Sequence, residues 1–229
     1  MGKSTIPPKD FVGSQPAPNA SCGVPRTQLI IFVKAPRAGF VKTRLAATIG
    51  SETALETYET LVEIITTQLR SIENVDLHFV PADARDEVSG WLQEGWTASP
   101  QADGDLGEKL KTAFQQAFDR GFERVIIIGS DCPYVESSDI DEAEAQLEQH
   151  DVVLGPATDG GYWLIGLSNP APTLFENINW STETVFAETL AHAEQARLVV
   201  ARIRELSDVD TVTDLMRFHE WKLTQPSRA

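Results

Sequence analysis

Four segments of this 229-residue chain gather the side chains that do polar chemistry. The first, Lys34-Ala-Pro-Arg37-Ala-Gly39-Phe-Val-Lys42-Thr43-Arg44, sets four cations around a glycine. Lysine offers a phosphate a point charge and arginine can grip one with two parallel bonds, while glycine lets the backbone approach a ligand closely. This loop therefore suggests phosphate binding; a solvated basic loop is the plainer alternative. It is not a Walker loop, because only two residues separate Gly39 from Lys42 and position 34 is not glycine. The second segment, Gly129-Ser130-Asp131-Cys132-Pro133, puts one carboxylate after an apolar run, where it can hold a hard cation or cap a turn before Pro133. The third, Gly155-Pro-Ala-Thr-Asp159-Gly160-Gly161-Tyr162, is either a ligand-covering loop with an acid and an aromatic or a tight Asp-Gly turn. In the fourth, Asp208-Val-Asp210-Thr211-Val-Thr213, either threonine can cap a following helix, leaving both aspartates free to face a site.

Other matches carry less. Asp103/Asp105 and Asp139/Asp141 repeat the Asp-x-Asp spacing, which is common in an acidic chain, and the second pair suits a helix's first turn. Gly2-Lys3-Ser4-Thr5 resembles the end of a phosphate loop but lacks the strand and glycine turn before it.

The elements that must position these groups alternate in type. Leu29–Val33 and Val125–Ile128 are apolar runs typical of strands buried on both faces. Asp76–Val80, Val152–Leu154, Tyr162–Leu167 and Leu198–Ile203 add further strands. Steps of three and four between Leu55, Tyr58, Val62, Ile65 and Leu69 predict a helix over Ser51–Arg70. Leu106, Leu110, Ala113, Phe114, Ala117 and Phe118 predict another, stopped by Gly121. Helices are also expected from a Ser137 or Ser138 cap to Gln149, over Ser181–Ala196 and over Thr213–Trp221. Such alternation makes an α/β fold, a mostly parallel sheet covered by helices, whose ligands bind at the carboxyl ends of the strands. Residues 1–27, with five prolines, read as a flexible, dispensable leader and 28–229 as a single domain.

Composition narrows the class. The chain carries 34 acidic residues against 19 Lys and Arg, a net charge of −15, which argues against nucleic acid as a partner. Yet no acid occurs between Phe11 and Ser51, so the first loop lies in a cationic island that can focus a small anion. No apolar run approaches the roughly 18–20 residues of a membrane span. Two cysteines, Cys22 and Cys132, cannot staple a domain of this size, and the default compartment is the cytoplasm. Oligomeric state is left open.

Taken in order, the first loop, Gly104-Asp105-Leu106-Gly107-Glu108, Gly-Ser-Asp131-Cys-Pro, Gly-Pro-x-x-Asp159-Gly-Gly-Tyr162, Trp180-Ser-Thr and Asp208-Val-Asp210-Thr resemble a bacterial family of GT-A-fold nucleotide-diphospho-sugar transferases. Its members are often labelled arsenosugar-biosynthesis glycosyltransferases, and the chain is more distantly similar to molybdenum-cofactor and phospholactate guanylyltransferases. The match runs over residues 28–215 and is specific as an ordered set. It implies a three-layer αβα architecture. It implies that Lys34, Lys42 and Arg44 line the phosphates, that Asp131 and Asp210 hold Mg²⁺ or Mn²⁺, and that Asp105, Leu106 and Gly107 lie near the nucleoside. Asp159, Gly160, Gly161 and Tyr162 would lie near the donor sugar or acceptor, with Asp159 as general base in an inverting transfer. The expected activity moves a sugar from a nucleotide diphosphate sugar to a small acceptor. The alternatives are nucleotidyl transfer of guanylyl or cytidylyl type and nucleotide binding without catalysis. Two departures stand out: Gly129 replaces the first acid of the usual Asp-x-Asp, and Lys42-Thr-Arg-Leu replaces the Arg-Met-Gly loop of the guanylyltransferases.

Overall fold

The computed structural model describes residues 26–224. The leader expected at the amino end therefore lies outside the described residues, apart from Arg26 and Thr27. These two already belong to the fold: Thr27 opens the first strand, and the Arg26 guanidinium lies 4.5 Å from the centre of the Phe122 ring.

Seven strands form one sheet: β1 (Thr27–Lys34), β2 (Val75–Val80), β3 (Thr97–Pro100), β4 (Arg124–Gly129), β5 (Val152–Pro156), β6 (Tyr162–Leu167) and β7 (Val200–Arg202), in the order β3-β2-β1-β4-β6-β5-β7. All neighbours are parallel except β6, which runs antiparallel to both β4 and β5. The chain leaves β1 toward β2 and β3 on one side, then returns to place β4 on the other. This is the switch point beside which α/β sheets leave a crevice at their carboxyl ends.

Among the described residues the α-helices are α1 (Thr43–Ile49), α2 (Ser51–Gln68), α3 (Arg85–Val88), α4 (Leu106–Asp119), α5 (Ser137–Gln146), α6 (Val185–Gln195) and α7 (Val212–Thr224). Side chains alternate across a strand, so Leu29, Ile31 and Val33 of β1 join Ile126 and Ile128 of β4 in a core shared with α2 and α5. Ile30, Val125 and Ile127 face the other way, into a core with Leu110 and Phe114 of α4 and Ala193 of α6. Two covered faces make three αβα layers. Apolar residues at both parities explain why β1 and β4 read as unbroken hydrophobic runs. Leu61 of α2, Val209 and Phe218 of α7 form a smaller cluster that ties the carboxyl-terminal helix to the body. Among the described residues no helix is long and apolar enough to cross a membrane.

Some boundaries differ from expectation for local reasons. Helix α5 is capped at Glu136 rather than at a serine: the Asp139 N–H donates to the Glu136 carbonyl at 3.0 Å, and the Asp139 side chain accepts from the Glu136 N–H at 2.7 Å. Helix α6 starts at Val185 because residues 181–184 are used in a turn. Ser181 has φ +65°, and the Thr182 hydroxyl donates to the Asn179 carbonyl at 2.7 Å. Three short elements, α1, β3 and α3, were not anticipated.

Gly155 of β5 has the Trp163 indole against its Cα. A methyl group built there would lie 2.5 Å from the ring, which is 3% exposed and donates its N–H to the Arg204 carbonyl at 3.1 Å. The Gly155→Ala variant should lose roughly 1–3 kcal/mol of stability by overpacking, read as a lower urea midpoint at unchanged slope.

Candidate active site

A cleft of about 690 Å³ opens along the carboxyl ends of β1 and β4 and the amino end of β6. At its centre is Lys42. The residue has left-handed backbone angles, φ 47° and ψ 44°, a conformation that costs a non-glycine residue about 1–2 kcal/mol. Its carbonyl starts α1 by accepting from Ala46. The side chain, 2% exposed, brings Nζ to 2.5 Å from Asp131 Oδ1 and 3.0 Å from Asp210 Oδ1. Burial alone would lower the ammonium's pKa, but attraction to the two carboxylates outweighs it and holds the pKa above the ordinary lysine value. Asp131, whose side chain is 46% exposed to the cleft, shows the reciprocal balance: partial desolvation raises the pKa, while Lys42, with Lys34 farther off, brings it below the usual carboxylate range.

Backbone bonds hold these groups in place. The Val209 N–H donates to the Asp131 carbonyl at 3.0 Å, which brings the Asp208–Asp210 segment to the end of β4. Tyr58 of α2 fastens the end of β1: its hydroxyl accepts from the Lys34 N–H at 2.7 Å and lies 3.1 Å from the Lys34 carbonyl and 3.3 Å from Ser130 Oγ. Burial pushes this phenol up to about 12. Asp214 accepts from the Thr211 N–H at 2.9 Å and returns its own N–H to the Thr211 hydroxyl at 3.3 Å, so Thr211 is the threonine that caps α7.

Lys34, Lys42 and Arg44 all line the cleft, and Arg44 lies 3.8 Å from Asp210 Oδ2. The loop's fourth cation, Arg37, is paired with Glu87 at 2.5 and 2.9 Å instead. Asp131, Asp159, Asp208 and Asp210 line the same cleft, as does Tyr162. Asp159 accepts from the Gly161 N–H at 2.9 Å, and Gly160, φ +89°, is pressed against the backbone of Glu183 so closely that a methyl group would fall 2.2 Å from its carbonyl oxygen. The loop is thus an Asx turn seated on the segment before α6. The buried Tyr162 hydroxyl has no hydrogen-bond partner among the described residues, so this residue offers the cleft part of its ring and not its polar end.

The Asp105–Gly107 segment divides. Asp105 caps α4 by accepting from the Glu108 N–H at 2.9 Å. Gly107 is a packing glycine: a methyl group there would lie 2.8 Å from the Phe175 carbonyl and 2.9 Å from the Trp180 indole nitrogen. Leu106 does line the cleft and is 42% exposed. Lys109, one turn on along the same helix face, and Gln101 also line it, and neither was anticipated.

Asp131 and Asp210 each have a second oxygen not bonded to Lys42, and Asp208 shares their cleft. Hard oxygen donors of this kind fit a divalent cation completed by water and phosphate oxygens. Among the described residues, no three acidic, imidazole or thiol side chains converge well enough to hold an ion alone.

Asp208 is pushed up to about 7, first by burial and then by the negative charge of Asp131, Asp159 and Asp210, against which Lys42 works. The folded chain therefore holds this proton to higher pH than the unfolded chain. Stability from Asp208 is full below about pH 4 and declines as pH rises toward 7. Asp208→Asn should raise Tm at pH 8 by roughly 2–4 °C, the equivalent of about 1 kcal/mol in a chain of this size, and leave it unchanged near pH 4. A second expected outcome concerns the central bridge: Lys42→Met should cost about 1–3 kcal/mol in denaturant unfolding at pH 7, because Asp131 and Asp210 then face each other without their cation.

The chain is similar to several solved and curated proteins. A crystal structure from Desulfovibrio desulfuricans G20, given the provisional description nucleotide-diphospho-sugar transferase, is 34% identical, with 88% of this chain and 90% of that one covered and a TM-score of 0.81. A phosphoenolpyruvate guanylyltransferase of Sphaerobacter thermophilus is 26% identical over 81% of this chain and 90% of its own length. A cytidylyltransferase of Leptospira borgpetersenii shares the fold alone, at 12% identity, 88% coverage of each chain and a TM-score of 0.55. The αβα layers are thus those of nucleotidyl- and sugar-transferase-like proteins. With residues 64–182 matched, just over half its length, the chain belongs to the family described as "Uncharacterized protein conserved in bacteria (DUF2064)".

Proposed function

We propose that this protein is a glycosyltransferase that binds a nucleotide diphosphate sugar in the cleft and moves the sugar to a small hydroxyl-bearing acceptor. The observation that carries this is the division of charge. Lys34 ends β1 and Arg44 follows it, both exposed to a diphosphate, while Asp159 and Asp208 lie across the cleft on the side of β6 and β7; Lys42, Asp131 and Asp210 form the ion bridge where the two sides meet. A neutral acceptor hydroxyl would find a base there in Asp159, which keeps one carboxylate oxygen outside its turn. The similarity to the Desulfovibrio protein points the same way.

In this mechanism Lys34, Lys42 and Arg44 neutralise the diphosphate as the bond from the anomeric carbon to its oxygen breaks. The acceptor oxygen forms the new bond to that carbon, and its proton passes to the Asp159 oxygen not used in the Asx turn; the nucleoside diphosphate leaves. Asp131 and Asp210 would hold Mg²⁺ or Mn²⁺, which when bound adds positive charge beside the leaving group. Leu106 would lie at the nucleoside, and the ring of Tyr162 beside the sugar.

Nucleotidyl transfer is the second reading, favoured by the guanylyltransferase relative. The two separate by what leaves. Phosphorus NMR of reactions with nucleotide sugars or nucleoside triphosphates, each with an extract of small hydroxyl and phosphate acceptors and Mn²⁺, should show nucleoside diphosphate release; pyrophosphate release instead would overturn sugar transfer. Asp159→Asn keeps an acceptor for the Gly161 N–H, so folding and nucleoside diphosphate affinity should persist while turnover falls by about 10²–10⁴-fold. Retained turnover would show that Asp159 only shapes the turn.

A further inference from the structure

Gln101 follows β3 and lines the cleft on the side of β1 and β2, with Phe32, Val80, Leu106 and Lys109. Its backbone N–H donates to the Phe79 carbonyl at 2.8 Å. Its side-chain nitrogen donates to the Val33 carbonyl at 3.2 Å and the His78 carbonyl at 2.8 Å, across the ends of β1 and β2. Carbonyls only accept, so the amide cannot be turned round: the group facing them is the NH₂, and Oε1 faces away. Both amide protons are then in use. What remains is one fixed oxygen without a donor among the described side chains, and it is not among the oxygens sealed from solvent.

The side chains beside it suit a flat apolar ring. Leu106 is one of few large hydrophobic residues left exposed, and Phe32 lies on the same wall. A diphosphate held by the cations after β1 would direct its nucleoside along this wall, away from the acids of β4 and β6. We infer that Gln101 reads the nucleobase: its Oε1 accepts from an exocyclic amino group, so the cleft prefers an amino-bearing base over its keto or deaminated counterpart. This rests on the cleft being a nucleoside diphosphate site. A rigid acceptor discriminates because a base with no donor at that place leaves the oxygen dehydrated and unpaired.

Calorimetric titration tests it with nucleoside diphosphates, Mn²⁺ present. GDP against IDP, ADP against IDP and CDP against UDP compare bases with and without the amino group. In at least one pair the amino-bearing member should bind about tenfold more tightly, the loss expected for one hydrogen bond. Gln101→Leu should bring that ratio close to one while leaving the affinity for inorganic pyrophosphate unchanged. Equal affinities in every pair, or a ratio that survives in Gln101→Leu, overturns base reading and leaves nucleotide binding standing. Loss of pyrophosphate affinity in the variant makes Gln101 a support of the strand ends and overturns it too. If no nucleoside diphosphate binds the parent protein, the glycosyltransferase proposal fails as well.

Discussion

The cleft depends on one ammonium group between two carboxylates. Lys42, Asp131 and Asp210 come from three regions of the sequence, and their bridge joins the loop after β1, the end of β4 and the approach to α7. Three aspartates, 131, 208 and 210, crowd this corner, and without a cation they would repel one another. The ammonium balances part of that charge; the rest adds to burial, the larger cause, in raising the pKa of Asp208. The left-handed backbone at Lys42 is what aims the side chain inward, so a local strain is stabilised by a long-range contact.

Much of this arrangement was legible in the sequence because burial on two faces writes a long apolar run. β1 and β4 announced themselves that way, and the polar residues that follow such strands had to lie at one edge of the sheet. The short elements were hidden for the opposite reason. β3 has four residues and includes Ser99 and Pro100, so it carries no alternation, and α1 buries only Leu45. Gln101 and Lys109 were hidden because nothing in their type marks them. Gln101 becomes distinctive only when two carbonyls meet its amide, and Lys109 only when Leu106 is seen on the cleft wall.

Residue type also left roles ambiguous that contacts then separate. Asp105 and Gly107 belong to one motif, yet the first caps a helix and the second makes room for Trp180. Gly160 lies in a segment whose sequence fits either a ligand-covering loop or a tight turn; its carbonyl accepts from the Phe186 N–H at 2.9 Å, which fastens the turn to the start of α6. Glycine is permissive in the unfolded chain, but in a folded one it often marks where two backbones touch.

The reversed direction of β6 has a consequence for how such a protein can diversify. The groups after β1 and β4 hang from parallel strands through the centre of the sheet, where any change disturbs both cores. Asp159 and Gly161 instead occupy the tip of a β5–β6 hairpin, a connection that enters the cleft and leaves it within a few residues. Sequence drift can rebuild that tip, together with the Glu183 segment it rests on, without altering the strand ends opposite. One half of the cleft is thereby bound to the architecture, and the other is free to be retailored, as a toolholder keeps its grip while the bit is exchanged.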